Sequence, residues 1–211
     1  MSLRFLFCAL QMHLHSGVFK GIIVVIIIIG VWGADMKRCL IVVDYQNDFV
    51  SGSLGFEKAK ALDGCICEKI RECRKAGGDI LFTMDTHGRD YLKTREGRCI
   101  PVEHCIKGTN GHCLYGNTAQ EAREEDLYFE KSTYGSDALY EYLKTAAYDS
   151  IELCGVVSNI CVLSNAVLAK TALPESEIKI DARCTASNDD RLNEEVLDVL
   201  ASINVEITNR V

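Results

Sequence analysis

The chain has 211 residues, 48% of them hydrophobic, enough for one α/β domain of ordinary size with its own core. A net charge of −7, with no block of like charges, argues against a nucleic-acid or anionic-membrane surface. Its eleven cysteines match no zinc spacing and exceed what a domain of this size needs as staples, so they read as mostly reduced thiols in a reducing compartment.

Residues 1–35 form an apolar leader. The uncharged stretch from Gly21 to Ala34 follows Lys20 and is short for a membrane span but suited to a signal-peptide core. Three readings stay open. The leader is non-native or dispensable and Met36 is the true start, or it is an uncleaved anchor, or it is a signal peptide cut after Val31 and Gly33. The first is preferred, because Met36-Lys37-Arg38 running straight into a strand suits a cytoplasmic α/β protein. A membrane association is expected only if the leader is a real anchor. In all three readings a single domain, residues 36–211, follows.

Within it, Cys39-Leu40-Ile41-Val42-Val43 is a continuous branched run, the mark of a central strand covered on both faces. It ends in Asp44. Ser51 to Gly55 reads as a loop, and Glu57 to Ala76 has helical spacing with Gly77-Gly78 as its stop. Asp79 to Met84 is a second strand, ending in Asp85-Thr86-His87. Gly88 to Gly116 is irregular and too long for a plain connector, so a functional role is expected of it. A short helix over Asn117 to Glu125, a strand at Leu127 to Phe129 and a helix from Asp137 to Ala147 follow. The last elements are a strand from Ile151 that breaks at Gly155, a helix through Lys170, a strand over Glu177 to Asp181, a helix over Asp190 to Ser202 and a strand over Asn204 to Thr208. Alternating strands and helices predict a three-layer α-β-α sandwich with a mainly parallel, about six-stranded sheet.

Cys161 sits where the strand ending at Gly155 turns into a buried helix. Ser158 or Asn159 is the expected N-cap, which puts Cys161 in the first turn, against the positive end of the helix dipole and unpaired backbone amides. The dipole favours thiolate and the amides can receive an oxyanion, so Cys161 is a candidate nucleophile. The bland alternative is one more buried thiol. In open parallel sheets the site lies outside the strands' carboxyl ends. Asp44, Asp85 with His87, Lys131 and Cys161 all fall there.

In that order, Val43-Asp44-Tyr45-Gln46-Asn47-Asp48-Phe49, Asp85-Thr86-His87, His104-Cys105-Ile106-Lys107-Gly108-Thr109, Phe129-Glu130-Lys131 and Gly155-Val156-Val157-Ser158-Asn159-Ile160-Cys161-Val162 resemble the isochorismatase-like cysteine hydrolases, nicotinamidase branch. The likeness runs from about Lys37 to the end. It implies a catalytic triad of Asp44, Lys131 and Cys161 acting on a small-molecule amide. It also implies a cis peptide before Val157 that turns the Val157 amide toward the Cys161 amide, the two making an oxyanion hole. Asp85, His87 and His104 match the family's ligands for a divalent metal, and their oxygen-plus-imidazole chemistry suits zinc, iron or manganese. Phe49 is expected to form a stacking wall of the substrate pocket.

The chain departs from the branch at its ring pocket. Thr86-His87-Gly88 stands in place of a Trp-His-Pro arrangement, and Lys93 falls roughly where a further histidine is common. Pro101 or Ile100 replaces a pocket tryptophan, since the single tryptophan, Trp32, lies in the leader. The expected activity is hydrolysis of nicotinamide or a close heteroaromatic amide. A sister amidase acting on ureido or carbamoyl compounds and an idle binding protein of the same fold are the competing readings; homo-oligomerisation stays open.

Overall fold

In the computed structural model, which describes residues 36–210, the branched run forms the central strand β1 (Arg38–Val43). Cys39 to Val43 are each at most 2% exposed, because helices cover both of its faces. Helices α1 (Asn47–Val50), α2 (Glu57–Ala61) and α3 (Asp63–Lys75) lead to β2 (Asp79–Asp85). The connection to β3 (Leu127–Lys131) carries the short helices α4 (Arg95–Cys99) and α5 (Gly116–Glu121). Next come α6 (Asp137–Ala146), β4 (Ser150–Val156) and a π-helical turn (Ser158–Val162) that runs into α7 (Leu163–Ala172). Strand β5 (Glu177–Ala186), α8 (Asp190–Ser202) and β6 (Glu206–Thr208) complete the described chain.

The six strands make one sheet in the order β3-β2-β1-β4-β5-β6, and all pairs are parallel. The order reverses between β1 and β4, which opens a crevice at their carboxyl ends. Alternate side chains fill two cores. On one face Ile41, Val43 and Leu153 pack against Leu139, Ala166 and Leu197 of α6, α7 and α8. On the other, Leu40, Val42 and Phe82 pack against Ala59, Ile66 and Ile70 of α2 and α3. The expected three-layer sandwich is present, with a wholly parallel sheet. Among the described residues no helix is long and apolar enough to cross a membrane. The reading of residues 1–35 lies outside the described residues.

Several boundaries differ from expectation for local reasons. The helix expected over 57–76 divides at Leu62, because Asp63 turns to cap another helix. Its carboxylate accepts from the backbone amides of Asn117 and Thr118, both at 2.9 Å, at the start of α5. Periodicity cannot register a break whose cause lies more than fifty residues away. Strand β4 does not stop at Gly155. It passes through that residue at φ +104°, where an added Cβ would stand 2.2 Å from the Val43 carbonyl oxygen. The thiol expectation is corrected at one pair: Cys65 of α3 and Cys184 of β5 form a disulfide with Cα atoms 5.6 Å apart, while eight other described cysteines are free.

Asp181 of β5 is a buried charge with three partners: Lys69 Nζ at 3.1 Å, the Arg183 guanidinium at 2.8 Å and Asn209 Nδ2 at 2.9 Å. Burial opposes its ionisation, but the bonds from Arg183 and Lys69 prevail and hold its carboxyl well below the usual aspartate range. A depressed folded-state pKa gives stability that is complete above the unfolded value of about 3.9 and fades as pH falls below it. Asp181→Asn is therefore expected to cost about 2 kcal/mol at pH 7 and progressively less below about pH 4. Urea titrations of both proteins at the two pH values check this. A gap of equal size at both would refute the assignment.

Candidate active site

Parallel, in-register strands deliver their last residues to one edge of the sheet. Asp85 and Lys131 are direct partners across β2 and β3, and Asp44 follows β1 between β2 and β4. Asp44 adopts φ +46°, a left-handed conformation in which aspartate is among the better-tolerated side chains. The turn is closed by Gln46 N–H donating to the Asp44 carbonyl at 2.7 Å. Thr83 Oγ1 donates to Asp44 Oδ1 at 2.6 Å and fixes the carboxylate from behind.

Lys131 is the hub. Its ammonium lies 2.6 Å from Asp44 Oδ2 and 3.3 Å from Asp85 Oδ1, donates to the Thr133 carbonyl at 2.9 Å, and reaches Cys161 Sγ at 3.7 Å. Apart from that ion-pair contact Asp44 Oδ2 has no hydrogen-bond partner, although it is fully buried. Burial pushes the Asp44 carboxyl up, opposed by Lys131, and its neighbour Asp85 adds to the rise. Burial and then the Asp44 charge push the Cys161 thiol well up, against Lys131. Lys131 itself is raised, because Asp44, Cys161 and Asp85 outweigh its burial. The resting thiol is thus neutral and sits beside a base strengthened by its surroundings.

Cys161 lies in the π-helical turn rather than in the first turn of a regular α-helix. The expected caps at Ser158 and Asn159 are corrected: the N-cap position is Val157, no side-chain cap bond forms, and Ser158 Oγ donates to Asn193 Oδ1 at 2.7 Å. π-Turns concentrate at functional sites because they re-aim one side chain without ending the helix. Asn165 locks this one, donating to the Cys161 carbonyl at 2.8 Å and accepting from Ser136 N–H at 3.0 Å. The peptide between Val156 and Val157 is cis.

Beside the triad stand Asp85, His87 and His104, with ligand atoms within 4.8 Å of one another. Asp85 Oδ2 is 3.0 Å from His87 Nε2 and 3.3 Å from His104 Nε2. His104 arrives from the long irregular segment, which pairs along His87: His87 N–H donates to the Cys105 carbonyl and Lys107 N–H to the His87 carbonyl, at 3.0 and 2.9 Å. Asp48 Oδ2 accepts from Cys105 N–H at 2.8 Å and pins the same loop. The His104 Nδ1 proton goes to the Val102 carbonyl at 2.8 Å, which leaves Nε2 as the lone-pair nitrogen facing Asp85. His87 Nε2 is buried without a hydrogen-bond partner. Burial disfavours the Asp85 anion, yet contacts with His104, His87 and Lys131 hold its carboxyl well below the usual range. A buried anion flanked by an orphaned imidazole and a tautomerically fixed one is the donor set of a divalent metal site.

Three residues without a predicted role complete the arrangement. Gln46 clamps the Asp85 backbone, donating to its carbonyl at 2.9 Å and accepting from its N–H at 2.8 Å. A glutamine two residues past a strand end, inside a motif already singled out, was the available signal. Asn165 lay in a run read only as buried helix. Glu96 of α4 brings Oε1 to 3.8 and 3.9 Å from the Nε2 atoms of His87 and His104. Burial and Asp85 raise its carboxyl above the usual glutamate range. Nothing in an irregular segment indicates which of its acids will face inward.

A cavity of about 220 Å³ opens onto Cys161. Phe49 and Ile100 line it, as the sequence suggested for each, together with Phe56, Ile160 and Tyr134. The Phe49 ring lies 5.4 Å from that of His104.

A family model for the isochorismatase domain matches residues 38–210. The chain belongs to the isochorismatase family. A relative from Bacillus subtilis (strain 168), described as the uncharacterized isochorismatase family protein PncA, is 33% identical over 143 residues, covering 63% of this chain and 78% of its own. The crystal structure of nicotinamidase/pyrazinamidase PncA from Bacillus subtilis superposes with a TM-score of 0.73 at 29% identity, over 82% of this chain and 99% of that one. The pyrazinamidase of Pyrococcus horikoshii in complex with zinc shares the isochorismatase-family fold at a TM-score of 0.72 and 23% identity, over 82% and 99% of the two chains.

Proposed function

We propose that this protein hydrolyses nicotinamide, or a close heteroaromatic amide, to the acid and ammonia through a thioester on Cys161. It is a hydrolase of carbon–nitrogen bonds in linear amides. The observation that carries the fuller reading is the Lys131 ammonium, which touches the acid, the nucleophile and the metal-site aspartate at once. In the first half-reaction Asp44 takes the Cys161 proton as sulfur attacks the amide carbon. The oxyanion is received by the backbone N–H groups of Val157 and Cys161. Asp44 returns the proton to the departing nitrogen, and ammonia leaves. In the second half Asp44 takes a proton from water, the resulting hydroxide displaces the thiolate from the acyl carbon, and the thiol is restored.

Asp85, His87 and His104 would hold a divalent ion such as zinc, iron or manganese. When bound, such an ion supplies Lewis-acid attraction for a ring nitrogen. Phe49 and Ile100 enclose the ring and exclude water. Because bond breaking rests on the triad, chelation is expected to raise KM more than it lowers kcat, with metal near one per chain before treatment. His104→Ala is expected to weaken metal retention by about 10- to 100-fold. Elemental analysis beside steady-state kinetics reads both quantities. A metal-free protein with full activity in His104→Ala would overturn the metal assignment.

The direct test is ammonia release over a panel of nicotinamide, pyrazinamide, and ureido and carbamoyl amides. Preference for the aromatic amides is expected. Preference for the ureido or carbamoyl group would move the protein to that sister activity.

A further inference from the structure

The cavity's charges are one-sided. Asp85 and Glu96 line it, and among the described residues no lysine or arginine does. The nearest ammonium, Lys131, is already committed: Asp44, Asp85 and the Thr133 carbonyl take its three protons. With a divalent ion in place, the two carboxylates balance its two charges and leave the centre neutral. Without one, the wall is negative. In neither state does a carboxylate on the substrate find a cationic partner, and about 220 Å³ leaves no room for it to keep its water. An anion desolvated beside like charge costs several kcal/mol.

Resting on the amidase reading above, we infer that Glu96 is a specificity-determining residue that restricts the site to uncharged aromatic amides and rejects carboxylate-bearing ones. Asp85 cannot play this part independently, because it is tied to Lys131 and to both imidazoles. Glu96 forms no such ion pair with a lysine or arginine: its side chain is 14% exposed and stands at the edge of the histidine pair with Oε1 nearly 4 Å from each ring nitrogen. Its charge is therefore the one available to a substituent on the ring. Removing it leaves a metal-loaded centre with one net positive charge, which attracts the anion the native centre repels.

Two substrates of nearly equal shape isolate the effect: nicotinamide carrying a ring carboxylate, and nicotinamide carrying a nitro group at the same position. Wild-type protein is expected to favour the nitro compound in kcat/KM by at least about a hundredfold, and Glu96→Gln to narrow that to about tenfold or less. The ratio of two kcat/KM values cancels any loss of active, metal-loaded enzyme, so reduced metal content in the variant does not move it. Calorimetric binding of the same two compounds gives a second ratio that needs no turnover. A wild-type ratio near one, or an unchanged ratio in Glu96→Gln by both methods, would overturn the inference. Failure of wild type to release ammonia from nicotinamide would instead defeat the activity reading, and the binding ratio would still decide the role of Glu96.

Discussion

Cys161→Ala is expected to lower ammonia release from nicotinamide by at least about a thousandfold while leaving the fold intact. The sulfur is the only atom of the triad that can bond to the acyl carbon, so no neighbour replaces it. The local structure does not depend on the thiol. The π-turn is held by Asn165 through the Cys161 carbonyl and by backbone bonds from Ile160 and Val162 to the Val157 carbonyl, at 3.0 and 3.2 Å. A thiol-to-methyl change among apolar neighbours is close to volume-conserving and costs little. Thermal unfolding of the variant within a few degrees of wild type, beside the lost turnover, would separate chemistry from folding. Substantial ammonia release by the variant would remove Cys161 from the mechanism.

Asp44→Asn is expected to cost about a hundred- to ten-thousandfold in kcat, since the same carboxylate takes the thiol proton and delivers it to the leaving nitrogen. It carries a second, opposite signature at the thiol. After burial, the Asp44 charge is the main influence that keeps the Cys161 thiol protonated, whereas Lys131 favours thiolate. Removing that charge lets Lys131 act alone, and the Cys161 pKa falls. The variant should therefore show more thiolate at neutral pH, by ultraviolet absorbance and by faster alkylation, with far less turnover. A purely structural Asp44 would not produce that divergence. In wild type, burial raises the Asp44 pKa, and the base must be ionised to act. Activity should thus fall, as pH is lowered, through a pKa above the ordinary aspartate value of about 3.9. An acid limb centred at or below that value would contradict the burial argument.

The parts legible in the sequence are those whose cause is local. The branched run Cys39 to Val43 demands burial on both faces, and the polar residues just past β1, β2 and β3 must then meet at one edge of a parallel sheet. That alone placed Asp44, Asp85 and Lys131 together, and the structure brings Cys161 to them. The cysteine's exact setting was less legible. Whether the chain enters α7 through a capped α-turn or a π-turn depends on Asn165 and Ser136 meeting across the fold, and no local pattern encodes that contact. The break before α3 has the same origin, in the capping of α5 by Asp63. Glu96 escaped notice because α4 and its neighbours have no periodicity to orient them; their direction is set by Asp48, Gln46 and the pairing along His87.

The most direct test of the central claim is a mass map of protein quenched in acid during steady turnover of nicotinamide. Acid protonates the leaving sulfur's competitors and preserves a thioester long enough to locate it. The account predicts one pyridine-carbonyl group on the peptide that carries Cys161, absent when substrate is omitted. Turnover with no acyl group on Cys161 at any quench time, or with the acyl group on another residue, would contradict it.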